Sequence, residues 1–433
     1  MTRPSRLPSR LAAAALLSLS VGFAFALACA SNAGGGGVIE VGPDAQKQAL
    51  RALIEAEPGD VVEFGPGRFE FDTTLSLDVA DVTIRGAGLD ETIIDFSKQA
   101  AGTGGEGLMV TADGFVIEDL SVYNTRADGI KVEGTTGATF RRVFVNWEGE
   151  PRTENGAYGL YPVQVTDVLI EDSLVRGCSD AGIYVGQSSN IIVRRNKTWE
   201  NVAGIEIENS TGADIYDNET WGNTGGILVF SLPELPVKAG SQARVWGNKI
   251  YDNNLPNFGL PGAIVSEIPA GSGMIVMATD QTEIYENEFK DNKSSHIAVI
   301  SFTSTGREYD DPDFEPYAEG IAIFENTFEG GGDAPEGDLA LAVAEMVGTP
   351  LPNVIYDGVE NPDRLVDGEV PAQYRVYFDG NGTIIDADLA TALSGGQPNV
   401  VTDAAAFAGS LPERPQPIII GEEGTAATAG GAL

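Results

Sequence analysis

Residues 182–229 contain, in order, Gly182-Ile183-Tyr184-Val185, Val193-Arg194-Arg195-Asn196, Gly204-Ile205-Glu206-Ile207, Ile215-Tyr216-Asp217-Asn218 and Gly226-Ile227-Leu228-Val229. Two short patterns alternate, and each returns after 22 residues. The asparagine pattern extends both ways. It runs back through Ile170-Glu171-Asp172-Ser173, Phe140-Arg141-Arg142-Val143 and Ile117-Glu118-Asp119-Leu120. It runs on through Val245-Trp246-Gly247-Asn248, Ile284-Tyr285-Glu286-Asn287 and Ile323-Phe324-Glu325-Asn326. Its last positions step by 23, 30, 23, 22, 30, 39 and 39 residues, a base period with insertions.

Short strands at such a period, with no helices between them, describe a single-stranded right-handed parallel β-helix, an all-β solenoid. Each coil stacks on the next at about 4.8 Å. Ile130, Leu160, Ile183, Ile205, Ile227, Met274 and Ile297 should form one inward stack. Asn196, Asn218, Asn248, Asn287 and Asn326 should form an amide ladder at a bend, where asparagine tolerates left-handed geometry. The coils are expected over residues 38–330. A capping helix over Gln46–Glu57 precedes them, with Asp44 as its cap and Leu50, Leu53 and Ile54 on one face. Residues 331–433 read as an irregular C-terminal segment. Leu339–Met346 suggests a helix, Arg375–Phe378 and Thr383–Ile385 suggest strands, and the tail from Gly424 reads as disordered.

The ends of the chain speak of export. Residues 1–28 have a basic start (Arg3, Arg6, Arg10) and an apolar run, as a signal peptide does. Ala26-Leu27-Ala28-Cys29 resembles a bacterial lipobox, with alanine where leucine is usual. That resemblance implies lipidation at Cys29, a Gly-rich tether over 29–37 and a place in the cell envelope, outer membrane or periplasm. Cleavage of the same bond by ordinary signal peptidase would instead give a secreted protein. If Cys29 carries lipid, Cys178 is a lone structural thiol.

The 433 residues carry 26 basic and 64 acidic side chains, a net charge of −38. Removing a leader with three arginines and no acid takes −38 to −41. Such a chain repels nucleic acid and anionic membranes, so the only membrane contact expected is through a lipid anchor. Calcium is the one cofactor this acidity leaves open. With a single histidine, His296, most zinc and triad constellations are excluded, and no nucleotide-binding fingerprint exists.

Function on a β-helix lies on outward side chains and loops. Tyr158-Gly159-Leu160-Tyr161-Pro162-Val163-Gln164 resembles the catalytic Tyr-Gly-Phe-Asp-Pro-His-Asp segment of mannuronan C5-epimerases, which are pectin-lyase-like β-helices. Tyr158, Gly159 and Pro162 match. Tyr161 and Val163 stand where those enzymes have aspartate and histidine. Gly156–Gln164 is also similar to a segment of a family of exported bacterial β-helix proteins, many of them lipoproteins; that resemblance implies fold and export but no activity. A tyrosine-centred lyase or epimerase site would comprise Tyr158, Tyr161 and Tyr184, with Lys131 neutralising a uronate carboxylate.

Other outward features point to sugar binding. Glu206 and Glu208 lie two apart on a strand, roughly 6.5 to 7 Å, on one solvated face. Tyr216, Trp246, Tyr285 and Phe324 share one column, and Trp199, Trp221 and Tyr251 another; stacked aromatics can form a sugar platform. Leu228, Phe230, Ile275, Met277, Ala298 and Ile300 form an outward apolar stripe. Insertions near 231–241, 255–272 and 303–319, or the segment after 330, should cover it, or a protein partner should. The expectation is an exported envelope protein that binds a polysaccharide without turnover. A polysaccharide lyase or C5-epimerase and an envelope assembly protein are the alternatives.

Overall fold

The computed structural model describes residues 37–102 and 104–421; the expected signal peptide, Cys29 and the tail lie outside the described residues. Three parallel sheets wrap one apolar interior. The third sheet has 11 strands, from Leu75–Leu77 to Ile384–Asp386. The first two form one 19-stranded surface because Val116–Tyr123 and Thr136–Asn146 run continuously round the corner between them. This is the expected right-handed parallel β-helix, capped at its N-terminus by a helix.

The inward stack forms as the spacing requires. Ile130 pairs with Leu160, Leu160 with Ile183, Ile183 with Ile205, Ile205 with Ile227, Ile227 with Met274 and Met274 with Ile297. All are fully buried. The asparagine ladder is also present: Asn196 Nδ2 donates to Asn218 Oδ1 at 3.0 Å, and Asn248 Nδ2 to Asn287 Oδ1 at 2.9 Å. Its geometry corrects one expectation. The left-handed residue is not the asparagine but the one before it: Arg195, Asp217, Gly247, Glu286 and Glu325, at φ between 52° and 64° like Arg142 in the same column. A left-handed corner re-aims the next side chain inward, where its amide can bond the neighbouring coil. The next corner carries a second ladder, Asn201–Asn223–Asn253–Asn292, at 3.0, 3.0 and 3.2 Å. Cys178 caps this ladder through its backbone N–H to Asn201 at 2.9 Å and is a free, buried thiol.

Both ends differ in detail from expectation. The first helix is Ala45–Glu55, Asp44 makes no side-chain cap, and the buried face is Ala45, Ala49 and Leu53. Ile54 is 75% exposed, because it lies a quarter-turn away from that face. The region after Gly330 is less irregular than its sequence. Helix Asp338–Val347 is followed by Val354–Tyr356, which pairs with the strand of Ile297, and by Ile384–Asp386, which pairs with Val354–Tyr356. Val376–Asp379 continues the first sheet from Ile321–Phe324. The coils thus run on to Asp386, past the expected boundary at residue 330, with connections too long to keep the repeat visible.

Candidate functional site

The outer face of the third sheet brings together most of the expected residues. Register places Lys131 beside Tyr161, Tyr184 beside Glu206, and Glu208 beside Gly186. Tyr158 joins from the preceding turn. Its ring centroid is 4.4 Å from that of Tyr161 and 4.7 Å from that of Tyr184, and Tyr161 and Tyr184 are 5.0 Å apart. Lys131 Nζ lies 5.6 Å from the Tyr161 ring, but it is paired with Glu133 at 3.1 Å. The Tyr184 hydroxyl donates to Glu208 Oε1 at 2.7 Å.

Two further acids complete the cluster. Asp128 accepts the Tyr158 backbone N–H at 3.2 Å, and Asp180 lies beside the Tyr158 side chain. Each sits just before a glycine of the second pattern, in Asp128-Gly129 and Asp180-Ala181-Gly182. That placement is the signal that could have found them.

The electrostatics are those of a water-poor acidic pocket. Glu206 and Glu208 are 3% and 6% exposed, not on a solvated face as the sequence suggests. Glu206 Oε2 and Asp180 Oδ1 are enclosed with no hydrogen-bond partner. Burial, with repulsion among Asp180, Glu206 and Glu208, pushes their carboxyls well up, and burial takes Asp128 to about 6. Burial also raises Tyr161 to about 12 and takes Tyr158 and Tyr184 higher still. The tyrosines are therefore proton-holding donors. No cation lowers them into the range of a base, which a tyrosine-centred elimination needs.

What buries this face is a roof. Val265 and Ile268 come from one insertion and Phe302, Tyr309 and Phe314 from another; they pack on Leu228, Phe230, Ile275, Met277 and Ile300. The apolar stripe is thus covered by two of the expected insertions. Arg307 joins the two parts of the roof through Glu267 at 2.6 Å, and Thr153 Oγ1 donates to the Phe258 carbonyl at 2.9 Å. Beneath it a cavity of about 640 Å³ opens against Glu206, Leu228, Ile275 and Met277.

The aromatic columns form, but with their faces engaged. Tyr216–Trp246, Trp246–Tyr285 and Tyr285–Phe324 stack at 4.4, 5.7 and 5.0 Å with interplanar angles of 8°, 3° and 3°. Arg244 lies over Trp246 at 4.8 Å, and Arg414 over Phe324 at 5.5 Å. Trp199 and Trp221 likewise stack at 5.3 Å. A sugar platform needs open ring faces. Here neighbouring rings and guanidiniums occupy them, so these columns stiffen the solenoid, and Tyr216, Trp246 and Tyr285 are not arranged as a platform.

Several solved structures share the fold. The A-module of a mannuronan C-5 epimerase from Azotobacter vinelandii is 16% identical, with 80% of this chain and 92% of that one covered at a TM-score of 0.51. DFA-IIIase from Arthrobacter chlorophenolicus is 12% identical over 75% and 90% at 0.45, and pectate lyase Pel9A 12% over 77% and 70% at 0.38. No curated protein matches the chain significantly in sequence. The family model of the periplasmic copper-binding protein NosD matches residues 97–331.

Copper favours histidine, cysteine and methionine donors. His296 lies inside the coil, held by Asn292 and the Gly330 carbonyl, and Cys178 heads the second ladder. Among the described residues the one cluster with ligand-like spacing is Asp280, Glu315 and Glu319, all carboxylates. Arg364 reaches Glu315 at 3.2 Å and Glu319 at 3.5 Å, supplying the charge that calcium would bring. Neither His296 nor Cys178 is therefore placed to hold copper. The match nevertheless covers more than half of the chain, and with the epimerase-like solenoid it gives the conclusion: the chain belongs to the NosD family of exported, periplasmic β-helix proteins.

Proposed function

We propose that the protein binds a glycan on the outer face of its third sheet, without turnover, and that the glycan is neutral. One observation carries this reading: Tyr158, Tyr161 and Tyr184 converge with Asp128, Asp180, Glu206 and Glu208, and two of the carboxyl oxygens have no partner. Tyrosine and carboxyl groups together supply an apolar surface and hydrogen bonds for sugar hydroxyls. A uronate would meet like charge, and Lys131, the cation beside Tyr161, is already paired with Glu133. That pairing counts against the lyase or epimerase reading. A carboxyl pair with raised pKa values favours hydrolysis as the second reading, since one acid can then hold a proton near neutrality. The test is retention of the protein on immobilised neutral glycans and uronans, with reducing ends and unsaturated sugars followed in parallel. Retention on a neutral glycan, weakened about tenfold or more by Tyr161→Ala, is expected; preference for uronans or appearance of product overturns the reading.

Anchoring belongs to the same reading. Cys29, outside the described residues, carries the lipid and holds the solenoid at the membrane surface. Intact-mass measurement of the membrane fraction should find acyl chains on Cys29. An unmodified thiol, or soluble release into the medium, refutes it.

A further inference from the structure

One outward column of the third sheet changes chemistry between neighbouring coils. Tyr161, Tyr184 and Glu206 are followed by Leu228, Ile275 and Ala298, each in register with the next. The companion column changes at the same coil, from Glu208 to Phe230, Met277 and Ile300. Strands in register lie about 4.8 Å apart, so the polar and apolar halves meet within one coil. The roof packs on the apolar half and leaves the cavity of about 640 Å³, within the size range of small-molecule sites.

We propose that the glycan bound here carries an apolar substituent, as a glycolipid or acylated sugar does, with its sugar against the tyrosines and carboxyls and its hydrocarbon in the roofed cavity. This rests on the carbohydrate reading above and adds the hydrocarbon to it. Glu206 marks the junction. It is the one buried ionisable residue lining the cavity, and its Oε2 is enclosed without a partner. A buried polar atom left unpaired is costly, and a hydroxyl or amide at the head of a ligand would satisfy it. The walls beyond it include Leu228, Phe230, Ile268, Ile275, Met277 and Ile300; charge returns in the Glu267–Arg307 pair and in the exposed Glu336 and Asp338. Walls of that kind favour hydrocarbon.

The test compares methyl and octyl glycosides of glucose, galactose, mannose and N-acetylglucosamine, below micelle-forming concentrations, by calorimetry on the full mature chain. Alkyl alcohol of the same length is the control for tail alone. Since each buried methylene is worth up to about fourfold in affinity, at least one octyl glycoside should bind roughly tenfold or more tighter than both its methyl partner and 1-octanol. Ile275→Trp, which fills the cavity, should abolish the gain from the tail and leave binding of the methyl glycoside. Met277→Trp serves if the first variant does not fold. Equal affinity for methyl and octyl glycosides overturns the proposal and leaves glycan binding standing. Octanol binding as tightly as the glycoside also overturns it. Absence of binding to every glycoside removes both readings at this site.

Discussion

The first and third sheets both carry buried acids on their outer faces, and they treat them in opposite ways. On the first sheet three buried acids have arginines. Glu171 is bonded by Arg141, Arg194 and Arg195, Asp214 by Arg244, and Glu283 by Arg414. Burial would raise the Glu171 carboxyl, yet the guanidiniums of Arg141 and Arg194 hold it down at about 2. On the third sheet Glu206 and Glu208 are buried and Asp180 is half-buried, with tyrosine in place of arginine beside them. The aromatic rings repeat the contrast: face-to-face columns on one side, a tight cluster around unpaired carboxyls on the other. Completed pairing marks architecture. Groups buried and left incomplete mark the place where a ligand is missing.

Single substitutions can break that contrast. Glu171→Leu takes from Arg141, Arg194 and Arg195 the carboxylate they share and should cost about 3 kcal/mol by denaturant unfolding. Glu206→Leu removes a buried group that has no partner, and should be neutral or slightly stabilising by the same measurement. Equal losses would mean that Glu206 is an architectural residue after all. Asn248→Leu probes the paired interior. It strips the backbone N–H and the Nδ2 of Asn218 of their acceptor, and should lose about 1–3 kcal/mol. An unchanged midpoint would show that the ladder contributes nothing.

The smallest effect is in the pH dependence, and its sign separates the sheets. A carboxyl raised on folding binds its proton more tightly in the folded state. Its contribution is therefore complete below the unfolded value and is lost as pH climbs through the folded one. For the third-sheet cluster, stability should fall as pH rises from about 4.5 towards 7, with Asp128 passing through about 6. Glu171 acts in reverse, and its contribution disappears only as pH drops towards about 2. Glu206→Gln should flatten the loss on the neutral side and leave the acid side unchanged. A melting curve with the parent's slope between those pH values would place the titrating group elsewhere.

The solenoid was legible because its interior repeats. A ladder such as Asn196 to Asn326 needs the same side chain at the same corner in every coil, so geometry is written directly as period. The corner residue itself is not, since Arg195, Asp217, Gly247 and Glu286 share a left-handed backbone and no side-chain chemistry. The gathering of Lys131 and the three tyrosines followed from register. The burial of Glu206 did not, because the cavity it lines is closed by Val265 and Ile268, which arrive from an insertion with no repeat of its own. Strand Val354–Tyr356 was obscured for the same reason: more than fifty residues separate Val354 from its partner Ile297.

The range of those ladders bears on how an exported chain could assemble. Most links between coils join residues 22 to 39 apart, so a strand emerging N-terminus first meets a partner that is already outside. Assembly can then advance one coil at a time, with little chain waiting unpaired. The contacts Arg414–Glu283 and Ile418–Asp214 span 131 and 204 residues. They can close only when almost the whole chain has crossed, which makes the C-terminal segment a latch that reports completion of the fold.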